Sequence, residues 1–228
     1  MLTKKWLFVD IDDTLCDTKA THLPALKVCF KYLKKCQSQL NYQDFLQAYD
    51  KGRKIIHQTL DPTPQSHDRW RYFQEALTKL NIKQTLNLAK KLDSLYWQTV
   101  NQKLKLFSDV EKTLKELQKR NIKLGIISDH LRKIQLRKLK TLKIRKYFSV
   151  IVISEDTGRD KPDKSIFKLA ITKAGIKPKD AVMFGDDYKR DYEGALKNGL
   201  LAAHLESNYH SNNSLKYFSE ILKFFPKK

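Results

Sequence analysis

Glycine and proline are scarce in this chain, seven and six of 228 residues, which excludes collagen-like and Pro/Gly-rich disordered compositions. No segment is of low complexity, and nothing recurs at the spacing of solenoid or propeller repeats. Cysteine is rarer still. Cys16, Cys29 and Cys36 form no CxxC pair, so neither a zinc site nor a disulfide framework is expected, and free thiols are the reading. Long hydrophobic runs are missing as well. The opening MLTKKWLFVD meets an Asp after four apolar residues, too short a run for a signal peptide or a membrane span, so a cytoplasmic chain with no membrane partner is expected. The Asn212-Asn213-Ser214 triplet fits a glycosylation acceptor only by pattern in such a setting. Negative charge is the last deficit: 25 Asp and Glu stand against 45 Lys and Arg, a formal +20. Such an excess attracts anionic small molecules or polyanions. The basic residues are spread singly and in pairs along the whole chain with no dense Arg cluster, so nucleic-acid binding is possible but not favoured.

What is present is a set of acids in unusual places. The stretch WLFVDIDDTLCDT, residues 6–18, runs a short apolar strand into Asp10, Asp12 and Asp13. Gathering carboxylates at the end of a buried strand costs free energy unless a cation arrives or protons are retained. Past residue 105 the periodicity describes regular alternation, which continues the strand at 6–10. Strands are expected at 6–10, 123–128, 150–154, 181–185 and 200–205, with helices at 109–119, 131–142, 164–173, 190–198 and 215–225. Ser108 with Glu111 fits a capping box, and Gly175 and Gly199 sit where carboxy-terminal caps belong. Strands that are nearly all apolar and alternate with helices predict an α/β fold: a Rossmann-like parallel sheet with helices on both faces. Between the first and second strands lie only helical patterns, so the chain reads as a catalytic core of 1–16 and 106–228 interrupted by an all-helical insertion at 17–105.

In a parallel sheet of this kind ligands gather at the carboxyl ends of the strands. Those ends carry Asp10, Asp12, Asp13 and Thr14; Ser128 and Asp129; Glu155, Asp156 and Lys161; and Asp186, Asp187 and Asp191. Any one such Asp is ordinarily a turn residue or a helix cap. Their convergence suggests chemistry. Asp10 and Asp186 are hard oxygen ligands of the kind that hold Mg2+ together with water and a substrate phosphate. Thr14 or Ser128 can donate to a phosphate oxygen, and Lys161 supplies a point positive charge. An Asp in line with phosphorus can act as nucleophile while a second acid two residues on handles protons, and Asp10 and Asp12 have that spacing.

These residues resemble, in order, the four motifs of the haloacid dehalogenase superfamily: DIDDT, IISD, GRDKPDKSIF and FGDDYKRDYEGA. The resemblance covers nearly the whole chain and implies a phosphatase with a helical cap of the first type, which in this family closes over the site and contacts the leaving group. It implies Asp10 as the nucleophile, and Asp12 as general acid and base with its main-chain carbonyl on the metal. It implies Asp186 as a further metal ligand, Asp191 as a support that holds Lys161 or a metal-bound water, and Thr14, Ser128, Asp129 and Lys161 around the phosphoryl group. Asp187 stands where the family often has Ser, Thr or Asn and Asp129 where Asn is common, so a supporting role and a helix cap are both open for Asp187. The dehalogenases of the family lack the second acid, so Asp12 favours phosphate esters.

For substrate, the resemblance places nucleoside 5′-monophosphates first, with sugar phosphates, phosphoglycolate and a phosphomutase reaction as alternatives. From a different class comes a basic nucleic-acid-binding or end-processing protein. In the insertion Arg53, Arg69 and Arg71 could reach a remote anionic group and Trp70 or Tyr72 could stack on a base, although surface arginines and core aromatics are the ordinary readings. His57, His67 and His130 lack metal-ligand spacing, and His204 reads as structural. A monomer and a homodimer are both compatible with the sequence.

Overall fold

The computed structural model describes residues 5–83, 86–206 and 214–226, which leaves both asparagines of the acceptor triplet outside the described residues. The chain divides into two compact units, one of Met1–Asp17 with Lys105–Lys228 and one of Thr18–Leu104.

The first unit is built on β1 (Trp6–Val9), β2 (Lys123–Ser128), β3 (Val150–Ile153), β4 (Ala181–Gly185), β5 (Leu201–Leu205) and β6 (Ser214–Leu215). They form one sheet in the order β3-β2-β1-β4-β5-β6, every pair parallel. β1 lies between β2 and β4, pairing Trp6 with Lys123 on one side and Ala181 on the other. All four β1 residues are buried, as a strand covered on both faces requires. Successive residues point to opposite faces: Trp6, Phe8, Met183 and Val152 pack with Ile166, Phe167 and Ala170. The last three belong to α7 (Lys164–Ala174). On the other face Phe184 meets Phe218 with ring centroids 5.5 Å apart. Crossovers run through α5 (Val110–Lys119), α6 (Arg132–Thr141), α7, and the pair formed by a π-helical turn (Tyr188–Glu193) and α8 (Gly194–Lys197).

Three sequence expectations are corrected. The segment 190–198 is a π turn followed by one short α-helix, because Asp191 must reach back toward Lys161 from its first turn. The carboxy-terminal segment is the two-residue β6 followed by a 3-10 helix (Phe218–Phe224). Ser108 and Glu111 form no capping box: Asp109 occupies the N-cap and makes no side-chain cap bond. Its Oδ2 accepts from the Ser219 N–H at 2.7 Å instead, a tertiary bond that outcompetes the local one. Gly175 and Gly199 do adopt positive φ, 64° and 78°, at helix ends.

The second unit contains α1 (Lys19–Lys34), α2 (Tyr42–Leu60), α3 (Arg69–Lys79) and α4 (Leu86–Lys103). Leu26, Cys29, Phe45, Tyr49, Tyr72, Phe73, Leu92 and Tyr96 are all buried, a core rich in rings. α2 and α3 approach closely at Gly52, where a Cβ would stand 2.6 Å from the Tyr72 carbonyl oxygen. Among the described residues no helix is long and apolar enough to cross a membrane.

Candidate active site at the carboxyl edge of the sheet

Strand order reverses between β1 and β4, the point outside the carboxyl ends of the strands at which an open parallel sheet binds its ligands. The Asp10 N–H still donates to the Phe184 carbonyl at 3.0 Å, so Asp10 stands on the final rung of the ladder, 6% exposed. The chain then turns sharply. Asp13 takes φ 57°, which Asp tolerates better than most residues, and its N–H donates to the Cys16 carbonyl at 2.9 Å. This turn buries Thr14, whose Oγ1 accepts from the Asp186 N–H at 3.0 Å and donates to Asp186 Oδ1 at 3.3 Å. The Thr14 hydroxyl thus ties the β1 loop to the β4 loop and orients Asp186. His204, on β5, adds a bond from its Nε2 to the Asp186 carbonyl at 2.9 Å.

Lys161 sits among the acids, 3% exposed. Its Nζ donates to Asp10 Oδ1 at 2.8 Å, to Asp191 Oδ1 at 2.6 Å and to the Ile127 carbonyl at 3.3 Å. Asp191 accepts a second bond, from the Asp187 N–H to Oδ2 at 3.1 Å. It can tuck beneath β4 only because residue 185 is Gly, where a Cβ would lie 2.1 Å from Asp191 Oδ2. Asp129 fixes the Lys161 backbone: its Oδ1 accepts from the Lys161 N–H at 2.7 Å and its Oδ2 from Arg190 at 3.3 Å. The Asp129 carboxylate is therefore committed to holding Lys161 in place. Asp187 is exposed and its Oδ1 accepts from the Arg190 N–H at 2.9 Å, so it caps the π turn.

Asp12 points elsewhere. Its two oxygens receive Lys138 Nζ at 2.5 and 2.8 Å, and Oδ2 also receives Gln135 Nε2 at 2.9 Å. The same amide nitrogen reaches Ser128 Oγ at 2.9 Å and the Asp129 carbonyl at 2.8 Å, linking Asp12 to the end of β2. Lys138 is 1% exposed, so this ion pair is shielded on one side. Neither Gln135 nor Lys138 was among the residues expected from the strand ends. The available signal was their position in α6: with Ile134 and Leu139 they fall on one helical stripe, where polar residues are out of place unless they serve one another.

The electrostatics of the edge favour a cation. Asp10, Asp129, Asp186 and Asp191 face two cations, Lys161 and Arg190, within this network. Burial alone would depress the Lys161 ammonium, but Asp10, Asp191 and Asp129 outweigh it and hold the group well above the usual lysine range. Burial pushes the Asp191 and Asp129 carboxyls upward, with Lys161 opposing in both. At 2.6 Å from an ammonium that stays charged, the ionised form of Asp191 is the one that fits. One oxygen from each of Asp10, Asp186 and Asp191 lies within 4.8 Å of the others. An all-oxygen donor set with surplus negative charge fits a hard divalent ion. Asp12 is absent from this group because Lys138 draws its carboxylate away.

In the helical unit Tyr72 is a core residue, its hydroxyl donating to the Ser66 carbonyl and sharing a 2.9 Å bond with His57. Arg71 lies 4.4 Å from the Trp70 ring centroid and 3.4 Å from Asp68, which occupies both as surface partners.

Comparison with known proteins places this geometry. The chain is 28% identical over 191 residues to the ribulose-1,5-bisphosphate 5-phosphatase of Halopiger xanaduensis, covering 84% of this chain and 80% of that protein. It is 30% identical over 199 residues to the glyceraldehyde 3-phosphate phosphatase of Methanothermobacter thermautotrophicus, covering 87% and 84%. The HAD-hydrolase YfnB of Bacillus subtilis, solved bound to magnesium, superposes with a TM-score of 0.77 at 18% identity, covering 98% of this chain and 99% of that one, a likeness of fold. Residues 7–204 match the haloacid dehalogenase-like hydrolases, and the chain belongs to that family.

Proposed function

We propose that the protein is a Mg2+-dependent phosphomonoester hydrolase that acts on a small phosphorylated metabolite through an aspartyl-phosphate. The observation that carries this reading is Asp10 itself: Oδ1 is tethered by buried Lys161, whereas Oδ2 meets no protein donor among the described residues. A carboxylate held by one oxygen and open at the other is oriented for attack. Asp10 and Asp186, with the Asp12 carbonyl, would hold the metal, with Asp191 beside them. When bound, Mg2+ supplies positive charge to the oxygens of the transferring group.

Asp10 Oδ2 attacks phosphorus, the bond to the ester oxygen breaks, and the leaving alkoxide takes its proton from Asp12. Water then attacks the acyl phosphate, giving its proton back to Asp12 and releasing inorganic phosphate with Asp10 restored. Ser128 Oγ, Lys161 Nζ, the Thr14 loop and the main-chain N–H of Asp129 would surround the phosphoryl oxygens. Asp12 can serve the leaving group only by moving off Lys138, since both its oxygens are engaged. Lys138 and Gln135 are thus positioning residues. Lys138→Met is expected to lower kcat by about 10- to 100-fold with KM changed by less than about twofold. A comparable rise in KM would mean instead that the ammonium binds substrate.

Residues 17–105 form the specificity cap in this reading, and the setting is cytoplasmic. Nucleoside 5′-monophosphates are the substrates the sequence motifs favour; the names of the two curated relatives support phosphorylated sugars as a second reading. Phosphate release from a broad panel of esters, with Mg2+ and with chelator, tests both. The panel includes a hexose 1-phosphate scored for phosphomutase product and an oligonucleotide with a terminal phosphate. Turnover that disappears with chelator is expected, concentrated on one of the two metabolite groups. Activity confined to the oligonucleotide would favour nucleic-acid end processing, and activity untouched by chelator would remove the metal from the mechanism.

A further inference from the structure

Arg69, the first residue of α3, keeps a buried donor that none of the described residues satisfies. Its guanidinium carbon lies 5.0, 5.5 and 5.6 Å from the ring centroids of Tyr72, Tyr96 and Trp97. Its NH1 donates to the His67 carbonyl at 3.2 Å. The buried Nε has no partner, and among the described residues no carboxylate pairs with the group. Asp50, the acid that lies toward this region, is taken by Lys54 at 2.8 Å. Three aromatic faces stabilise the charge and the Tyr96 hydroxyl also bonds the guanidinium, but the Nε–H donor is left unsatisfied.

A second unsatisfied group sits in the same cluster. The Tyr49 hydroxyl is buried and without a partner, although its ring packs on Tyr72 at 5.9 Å and on His22 at 5.7 Å. His22 Nδ1 shares a 2.9 Å bond with the Tyr96 hydroxyl. Burial, followed by the charges of Arg69 and Arg53, lowers the His22 pKa to about 4, so the imidazole is neutral near pH 7 and can donate or accept. A fixed guanidinium, a spare phenol, a neutral imidazole and the nearby charge of Arg53 are the components of an oxyanion receptor. A purely structural stack would have no use for the orphaned Nε and hydroxyl, each costly to bury unpaired.

We propose that the helical unit carries an oxyanion site, centred on Arg69 with Tyr49, Tyr96 and His22, that binds a carboxylate or phosphate group. Its occupant is either a second anionic group on the substrate, in which case the inference rests on the phosphatase reading, or free phosphate.

The full chain, labelled with nitrogen-15, is titrated with inorganic phosphate while the Arg69 Nε–Hε resonance is followed. In parallel, kcat/KM is measured for a sugar bisphosphate and the corresponding monophosphate, in the wild type, Arg69→Gln, Arg69→Lys and Tyr49→Phe. Tyr49→Phe removes an oxygen that makes no hydrogen bond, so its packing survives even if the Arg69 variants do not fold. A fall of about tenfold or more in the bisphosphate-to-monophosphate ratio for Arg69→Gln, with a smaller fall for Tyr49→Phe, assigns the site to the substrate's second anion. A saturating resonance shift with the ratio unchanged assigns it to free phosphate. Neither a shift nor a changed ratio overturns the proposal and leaves Arg69 as a prop for the aromatic core. If no ester were hydrolysed, the function proposed above would fail while the resonance titration still decided this one.

Discussion

Asp10→Asn is expected to lower phosphate release by at least about 10^4-fold, as removal of a covalent nucleophile does, with the α/β unit still folded. The amide has the shape of the carboxylate, and its oxygen can still accept from Lys161 Nζ, now 2.8 Å from Asp10 Oδ1. What it lacks is the electron-rich second oxygen that attacks phosphorus. The substitution also removes one of four clustered carboxylates, which relieves repulsion while weakening the hold on a divalent ion. These two effects oppose each other, so the melting temperature is expected to shift by less than about 5 °C. Phosphate release and thermal melting, measured on one preparation, decide the matter. Residual turnover of a few per cent would mean another nucleophile, and a collapsed melt would assign Asp10 a structural role.

Much of this edge could be read from the sequence, and the reason is geometric. A parallel strand delivers its final residue to one known edge of the sheet, so Asp10 after β1, Ser128 at the end of β2 and Asp186 after β4 had to converge once those strands were identified. The fold was readable for a related reason: β1, β3 and β4 carry no polar side chain, β2 keeps the buried run Leu124–Ile127 between Lys123 and Ser128, and the helices between them keep a clear stripe. Elements at the periphery were less readable. The two-residue β6 has too little pattern to show a period, and the π turn at Tyr188–Glu193 is set by the pull of Asp191 toward Lys161, which no local propensity encodes.

Side-chain partners were harder to read than side-chain locations. Asp12 was assigned from its spacing to Asp10, but its partner Lys138 lies in RKIQLRKLKT, where it is one of several basic residues. Only the direction of the helix face separates the buried Lys138 from exposed neighbours such as Lys140. Thr14 and Asp129 follow β1 and β2 in the chain, yet their polar atoms turn to Asp186 and to Lys161. In both cases a bond that organises the site competes with one to a ligand, and which prevails depends on distances of a few tenths of an ångström. Arg69 illustrates the same limit in the helical unit, since an arginine at a helix start is ordinary until three rings are found around it.

Lys161→Met is expected to give the largest loss of stability of any single change at the site. The methionine has nearly the length of lysine and fills the same slot, so the cost is electrostatic and not that of a cavity. It leaves Asp10 and Asp191, 2.8 and 2.6 Å from the former ammonium, buried and facing each other without a counter-charge. Breaking a buried pair in this way costs about 3–5 kcal/mol, a fall in melting temperature on the order of 10 °C for a chain of this size. The decisive measurement is the double variant. If Lys161 serves chiefly to neutralise Asp191, then Asp191→Asn introduced beside Lys161→Met should return much of the lost stability, whereas Asp191→Asn alone should be destabilising. Phosphate release should stay low in all three, because the tether on Asp10 Oδ1 is gone or loosened in each. Simple additivity of the two stability losses would show that Lys161 and Asp191 act independently, and that the 2.6 Å contact between them contributes little to holding the nucleophile in place.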